Sequence, residues 1–257
     1  MSVIIKNINY SINKKTILND ISLEIKRGEM LTIVGPNGSG KSSLIKIISG
    51  DISAQSGEIM FDNINLDKIS IFERAKIRSV MSQSQQIVYD FKVKEIIEMG
   101  WIDCEKELIK DNFQETLNKI SKQCEVYNIL DRTFNTLSGG EQKRVHFART
   151  LMQISNKSYN EKSKYIFLDE PTASLDLNYE IQLMKVLKQK TLEGFGVFVV
   201  LHDLNLAYNF ADKIALIDKG KVKTTGTPKE VLSEKNLSEI YKTDINVNHK
   251  QKTIKYY

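Results

Sequence analysis

Only two cysteines, Cys104 and Cys124, occur in the 257 residues. Their spacing to each other and to the histidines fits no metal-ligand pattern, so two free thiols in a reducing compartment are expected. No stretch approaches the roughly 18 apolar residues of a membrane span. The longest apolar runs, such as VFVVL at 197–201, are strand-sized, and mean hydropathy is −0.31. The opening MSVIIKNINY lacks the charged-then-apolar order of a signal peptide, which predicts a chain made and kept in the cytosol. No block of like charges occurs. The net charge of +5 is spread along the chain, which predicts no nucleic-acid partner and suits work beside anionic headgroups. Internal repeats and low-complexity segments are absent too.

What is present alternates. SVIIKNINYSI and ISLEIKRGE read as strands with turns, and MLTIV as a short strand apolar on both faces. GEIMF, IRSVMS, KYIFL and GVFVVL repeat the strand pattern, and KIALID with KGKVKTTG reads as a closing strand pair. Between them, about 92–135 has helical spacing and few breakers. Strands alternating with helices imply an α/β fold. The expected organisation is one domain over 1–257, with a core and β subdomain at 1–83 and 150–257. A helical subdomain is inserted at approximately 84–149.

GPNGSGKSS fits the phosphate-loop pattern G-x-x-x-x-G-K-[ST], with a strand before it and a helix after it. Gly35, Pro36, Asn37, Gly38, Ser39, Gly40, Lys41, Ser42 and Ser43 form it. The glycines let backbone N–H groups turn onto phosphate oxygens. Lys41 reaches the β- and γ-phosphates, and the Ser42 hydroxyl can ligate Mg²⁺. No NKxD guanine-reading motif occurs, so ATP is expected rather than GTP. In KYIFLDEPT, Asp169 ends a buried strand, where a carboxylate can hold Mg²⁺ through water. Glu170 beside it can polarise an attacking water. Alone, this pair would read equally as an exposed acidic turn.

A second anion site is written at TLSGGEQKRVHFART, residues 136–150. A serine and two glycines precede a run with helical spacing, and a helix start presents free N–H groups suited to an anion. Lys143, Arg144 and Arg149 add cationic side chains.

With these motifs in this order, the sequence resembles the ATP-binding cassette family, the motor subunits of ABC transporters, over nearly its whole length. The resemblance implies a P-loop NTPase (RecA-like) core with an antiparallel β subdomain and an inserted α-helical subdomain. It implies ATP hydrolysis with ATP and Mg²⁺ as cofactors. It also implies a homodimer in which Leu137, Ser138, Gly139, Gly140 and Glu141 bind the γ-phosphate of the ATP held by the other copy. Gln83 matches the glutamine loop that senses Mg²⁺, giving a metal set of Ser42, Gln83 and Asp169. Ser174 to Asp176 match the loop touching the partner copy. His202 matches the switch histidine and joins Glu170 as a catalytic residue. His146 has no motif partner and reads as structural. The family's adenine-stacking aromatic would fall on Ile12. Tyr10 lies two residues earlier and has two open roles, stacking on adenine or a plain core or surface side chain.

The segments LHDLNLAYNFADKIALIDKGKV and GTPKEVL resemble importer subunits for ferric siderophores, cobalamin and haem. A long polar loop at 153–164 and the Asp90–Phe91 variant near the glutamine loop are most similar to the haem (hemin) importer ATPases. This resemblance implies a permease dimer, a periplasmic or surface substrate-binding protein, and a peripheral place on the cytoplasmic face of the cell membrane. Trp101 is open to a permease contact or a core role. A ferric-siderophore or cobalamin importer is the alternative. A soluble non-transport cassette protein fits less well, because such proteins carry two cassettes or a long coiled coil between the motifs.

Overall fold

The computed structural model describes residues 1–83, 87–102, 110–155 and 163–256, with backbone only at 110–111. The chain begins with β1 (Ser2–Ile12), β2 (Lys15–Lys26) and β3 (Met30–Val34), followed by α1 (Lys41–Ile48). Next come β4 (Ser56–Phe61), β5 (Ile64–Asn65), α2 (Ile71–Ile77) and β6 (Arg78–Met81). The helical stretch holds α3 (Val93–Glu98), α4 (Lys110–Gln123) and α5 (Gly139–Ile154). Then β7 (Tyr165–Asp169), α6 (Leu177–Leu192), β8 (Gly196–Val200), α7 (Leu204–Phe210), β9 (Lys213–Asp218) and β10 (Lys221–Gly226) follow. The chain closes with α8 (Pro228–Val231), α9 (Glu234–Tyr241), β11 (Ile245–Asn248) and β12 (Thr253–Tyr256).

A six-stranded sheet in the order β10-β9-β3-β8-β7-β6 forms the centre. Its four pairings from β9 to β6 are parallel, and the outer β9–β10 pair is antiparallel. Every residue of β3, β7 and β8 is buried, as expected of strands covered on both faces. Side chains alternate across the sheet, and this divides the core in two. Met30, Val34, Ile166, Leu168, Val197 and Val199 face the cluster built with α3, α5, α6 and α7. Leu31, Ile33, Phe167, Phe198 and Val200 face the opposite cluster, with α1 and a second, antiparallel sheet β2-β1-β4-β5. The α/β class, the antiparallel sheet and the helical stretch all match the sequence expectation.

One detail lies beyond it. A C-terminal hairpin β11–β12 seats on α7: the Asn205 side chain donates to Ile254 O at 3.2 Å and accepts from Ile254 N at 2.7 Å. Trp101 packs edge-on against Phe113 with ring centroids 5.4 Å apart, beside the first core cluster. Cys124 is buried as a free thiol, and burial pushes its pKa up; Cys104 lies outside the described residues. Of the polar loop at 153–164, residues 156–162 also lie outside them. Among the described residues no helix is long and apolar enough to cross a membrane.

Candidate functional site

Parallel strands place their C-terminal ends on one edge of a sheet, and loops leaving that edge are where α/β folds bind ligands. Here four strands deliver the sequence-identified residues to that edge. Val34 ends β3 and Gly35 follows it; Asp169 ends β7 and Glu170 follows it. Met81 ends β6 two residues before Gln83, and Val200 ends β8 two residues before His202. The register pairs Asp169 with Val200. His202 therefore leaves the strand lying between the phosphate loop and Glu170.

The phosphate loop bends because of its glycines. Gly35 has φ +153°, and a Cβ there would lie 2.0 Å from Ile217 O. Gly40 has φ +103°, and a Cβ there would meet Leu18 Cδ2 at 2.6 Å and Ile17 O at 2.8 Å. Any other residue at either place would need the backbone to move. Pro36 is half-buried, Asn37 and Gly38 are exposed at the crest, and Ser43 is half-buried on α1. Ser39 is 3% exposed, and its backbone O accepts from Gly220 N at 3.0 Å, which ties the loop to the turn before β10. Lys41 is 5% exposed and donates to Gly35 O at 2.8 Å and Pro36 O at 2.9 Å. Burial lowers its pKa, while Glu170 and Asp169 pull the other way. A buried ammonium held by two carbonyls, with two carboxylates nearby, is poised to exchange the carbonyls for phosphate oxygens.

Glu170 is the centre of the row. Its Oε2 accepts from Gln83 Nε2 at 2.7 Å, and its Oε1 lies 2.5 Å from His202 Nε2. Its backbone sits at φ +50°, a left-handed conformation rare for a residue with a side chain. Glu170 N donates to Val200 O, and Glu170 O accepts from Ala173 N and from Lys143 Nζ, the last at 3.1 Å. Asp169 is 2% exposed, and burial raises its pKa. The Ser42 hydroxyl lies against the same carboxylate and favours its charged form. Asp169 Oδ1 is buried without a hydrogen-bond partner. A buried carboxylate oxygen left open beside a hydroxyl suits a hard divalent cation, which takes oxygen ligands.

The signature stretch sits apart. Ser138 caps α5: its Oγ accepts from Glu141 N at 3.3 Å, and Glu141 Oε2 accepts from Ser138 N at 2.8 Å. The backbone contact from Ser138 holds the Glu141 carboxyl below its usual pKa, with Arg132 adding an ion pair at 3.2 Å. Leu137 is buried and anchors the turn, whereas Ser138 and Gly139 are exposed. Among the described residues, no hydrogen bond or ion pair joins 137–141 to the phosphate loop. The structure thus brings together Lys41, Ser42, Gln83, Asp169, Glu170 and His202, and leaves Ser138 and Gly139 facing outward.

Tyr10 is half-buried, pairs with Leu18 across β1–β2 and packs on the second core cluster. Ile12 is 47% exposed. His146 is buried and meets Phe134 edge-on at 5.2 Å, a packing role as expected. Two residues at the site carried little sequence signal. Lys143 was visible only as a cation in the signature stretch. Tyr241 brings its hydroxyl to the Gly35 backbone; burial raises its pKa to about 12, and the Gly35 contact moderates this. The capping box of α5 was legible, since Ser138-x-x-Glu141 is its pattern.

The comparisons with known proteins agree with this geometry. The ABC transporter family model matches residues 18–173. The chain is 37% identical to the hemin import ATP-binding protein HmuV of Escherichia coli O157:H7, over 94% of this chain and 93% of that protein. It is 36% identical to the protein of the same name from Pseudoalteromonas translucida, over 91% and 90%. Among solved structures, the dimeric structure of a bacterial ABC transporter cassette superposes with a TM-score of 0.76 at 26% identity, covering 88% of this chain and 98% of that one. The chain belongs to the ABC transporter family, as an ATP-binding, ATP-hydrolysing cassette.

Proposed function

We propose that the chain powers uptake of haem by an importer in the cell membrane. It works as a homodimer of ATPase subunits bound to the cytoplasmic face of a permease dimer, which receives cargo from a periplasmic or surface binding protein. The observation that carries this reading is the match, over more than nine-tenths of the chain, to relatives named for hemin import.

Within each copy, residues 35–43 cradle the ATP phosphates, with Lys41 on the β- and γ-phosphates. Ser42, Gln83 and Asp169 would hold Mg²⁺, which would neutralise phosphate charge. Glu170 accepts a proton from the attacking water, and His202 orients Glu170 and meets the γ-phosphate. The contact of Glu170 with Gln83 and His202 supports this assignment, because one carboxylate touches both partners. Leu137 to Glu141 close the site from the other copy. The exposure of Ser138 and Gly139 at the start of α5 supports that placement, as does the dimeric form of a structural neighbour. Tyr10 pairs with Leu18, which lies beside Gly40 of the loop, and packs on the second core cluster; both of its roles, stacking on adenine and a plain core side chain, stay open.

The core and β subdomain comprise 1–83 and 150–257, and the helical subdomain 84–149 docks on the permease. Exposed Val88, Tyr89 and Met99 in that segment supply apolar contact area. The test is reconstitution with permease and binding protein in liposomes, comparing ATP-dependent uptake of haem, a ferric siderophore and cobalamin. Haem uptake is expected; uptake of either other cargo without haem would refute the cargo assignment.

A further inference from the structure

Glu170 occupies a strained conformation, and something must hold it there. Two of its backbone contacts come from its own neighbourhood, Val200 on the adjacent strand and Ala173 in the same turn. The third comes from elsewhere in the chain: Lys143 Nζ donates to Glu170 O at 3.1 Å. Lys143 stands on α5, four residues after Gly139, so the two share one helix face, one turn apart. The start of the same helix also lies close to the same turn. A Cβ on Gly140 would lie 3.5 Å from Ser174 O and 3.8 Å from Leu175 Cδ2. The start of the signature helix therefore lies close against Ser174 and Leu175, and Lys143 reaches Glu170 itself through a hydrogen bond. Burial lowers the Lys143 pKa, and the carboxylates of Glu170 and Asp169 oppose that shift.

We propose that Lys143 is a positioning residue that couples the two ATP sites of the dimer, transmitting engagement of the signature by one ATP to the Glu170 that hydrolyses the other. This rests on the shared-site reading above. When the partner's γ-phosphate seats at Ser138–Gly140, α5 shifts as a rigid rod. Lys143 carries that shift to the Glu170 carbonyl and so to its carboxylate. Each site then becomes competent only when the other is closed.

The test uses the assembled transporter, with ATPase rate measured against ATP concentration. K143M is expected to lower kcat about 10-fold, in line with small misplacement of a reacting group. KM should stay within about twofold, and the Hill coefficient should fall from above 1 to 1. K143R is expected to restore both, because it keeps a cationic donor. Should K143M not fold, K143Q is read in the same way. A raised KM with unchanged kcat would make Lys143 an electrostatic attractant for ATP and overturn the proposal. A lowered Tm with an unchanged Hill coefficient would make it a structural tie and also overturn it. ATP-dependent dimerisation of Glu170→Gln chains separates the two levels. If those chains do not dimerise, the shared-site reading itself fails; if they do and K143M keeps cooperativity, only the coupling role fails.

Discussion

Gly139→Asp separates what the fold needs at the start of α5 from what the partner needs there. A Cβ at Gly139 meets nothing within 4 Å, and the residue is exposed in the first turn, just after the Ser138 cap. Replacing a glycine whose conformation other residues can adopt stabilises by about 0.4–1 kcal/mol, through the unfolded state. A carboxylate in the first turn gains roughly 0.3–1 kcal/mol more from the helix dipole, at the low end here because Glu141 already occupies that turn. The isolated chain should therefore gain about 0.7–1.3 kcal/mol, or roughly 1–3 °C in Tm for a chain of this length. The shared site should respond in the opposite sense. Two like charges about 4 Å apart near a protein surface repel by about 4 kcal/mol, equivalent to about 10³-fold in dimer affinity for each of the two shared sites. ATP should still bind through Lys41. The assay combines calorimetry of the single variant with sedimentation in a Glu170→Gln background, with and without ATP and Mg²⁺. A raised Tm with the ATP-dependent dimer lost is expected. A dimer that persists would remove the signature from the interface, and a Tm several degrees lower would show that the position serves the fold.

Glu170→Gln, which keeps the side-chain shape between Gln83 and His202, should reduce turnover by about 10²–10⁴-fold while ATP still binds; near-normal turnover with the permease present would remove its role as base. Asp169→Asn should abolish hydrolysis yet raise the Tm of the nucleotide-free chain at pH 7. Burial raises the Asp169 pKa, so the folded state disfavours its charged form, and the gain should vanish as acid protonates the wild-type side chain. Lys164, 7% exposed, has its pKa lowered to about 8 by burial and by nearby Lys190. Between about pH 8 and 10.5 the unfolded chain holds that proton and the folded chain does not, so wild-type stability rises with pH from this group. Lys164→Met should lose its stability advantage over wild type across that window, by on the order of 3 kcal/mol; a difference constant with pH would contradict the assignment.

The legible part of this molecule was its local chemistry. The phosphate loop needs glycines at fixed places because Ile217 O and Leu18 leave no room for a Cβ, and so it leaves a pattern in the sequence. Buried strands such as β7 and β8 are apolar at every position because both faces are covered, and that too is written locally. The strand edge that gathers Gln83, Glu170 and His202 was anticipated through motif order rather than spacing. Nothing in 87 residues of separation states that Gln83 Nε2 will reach Glu170 at 2.7 Å. The Lys143–Glu170 contact was hidden for the same reason: a lysine at that helical position looks like a solvated cation until the turn after β7 packs beneath it. The C-terminal hairpin left no mark, since its attachment to α7 depends on the side-chain amide of Asn205 pairing with a backbone 49 residues away. Tyr10 kept two roles because strand alternation around it is interrupted by register shifts on β1.

The most direct test is an experimental structure of the Glu170→Gln chain with ATP and Mg²⁺. Two copies should pack head to tail, each ATP lying between Lys41 of one and Ser138–Gly140 of the other, with Asp169 and Ser42 at the metal. ATP held by Lys41 alone, with the start of α5 from each copy open to solvent, would contradict the account.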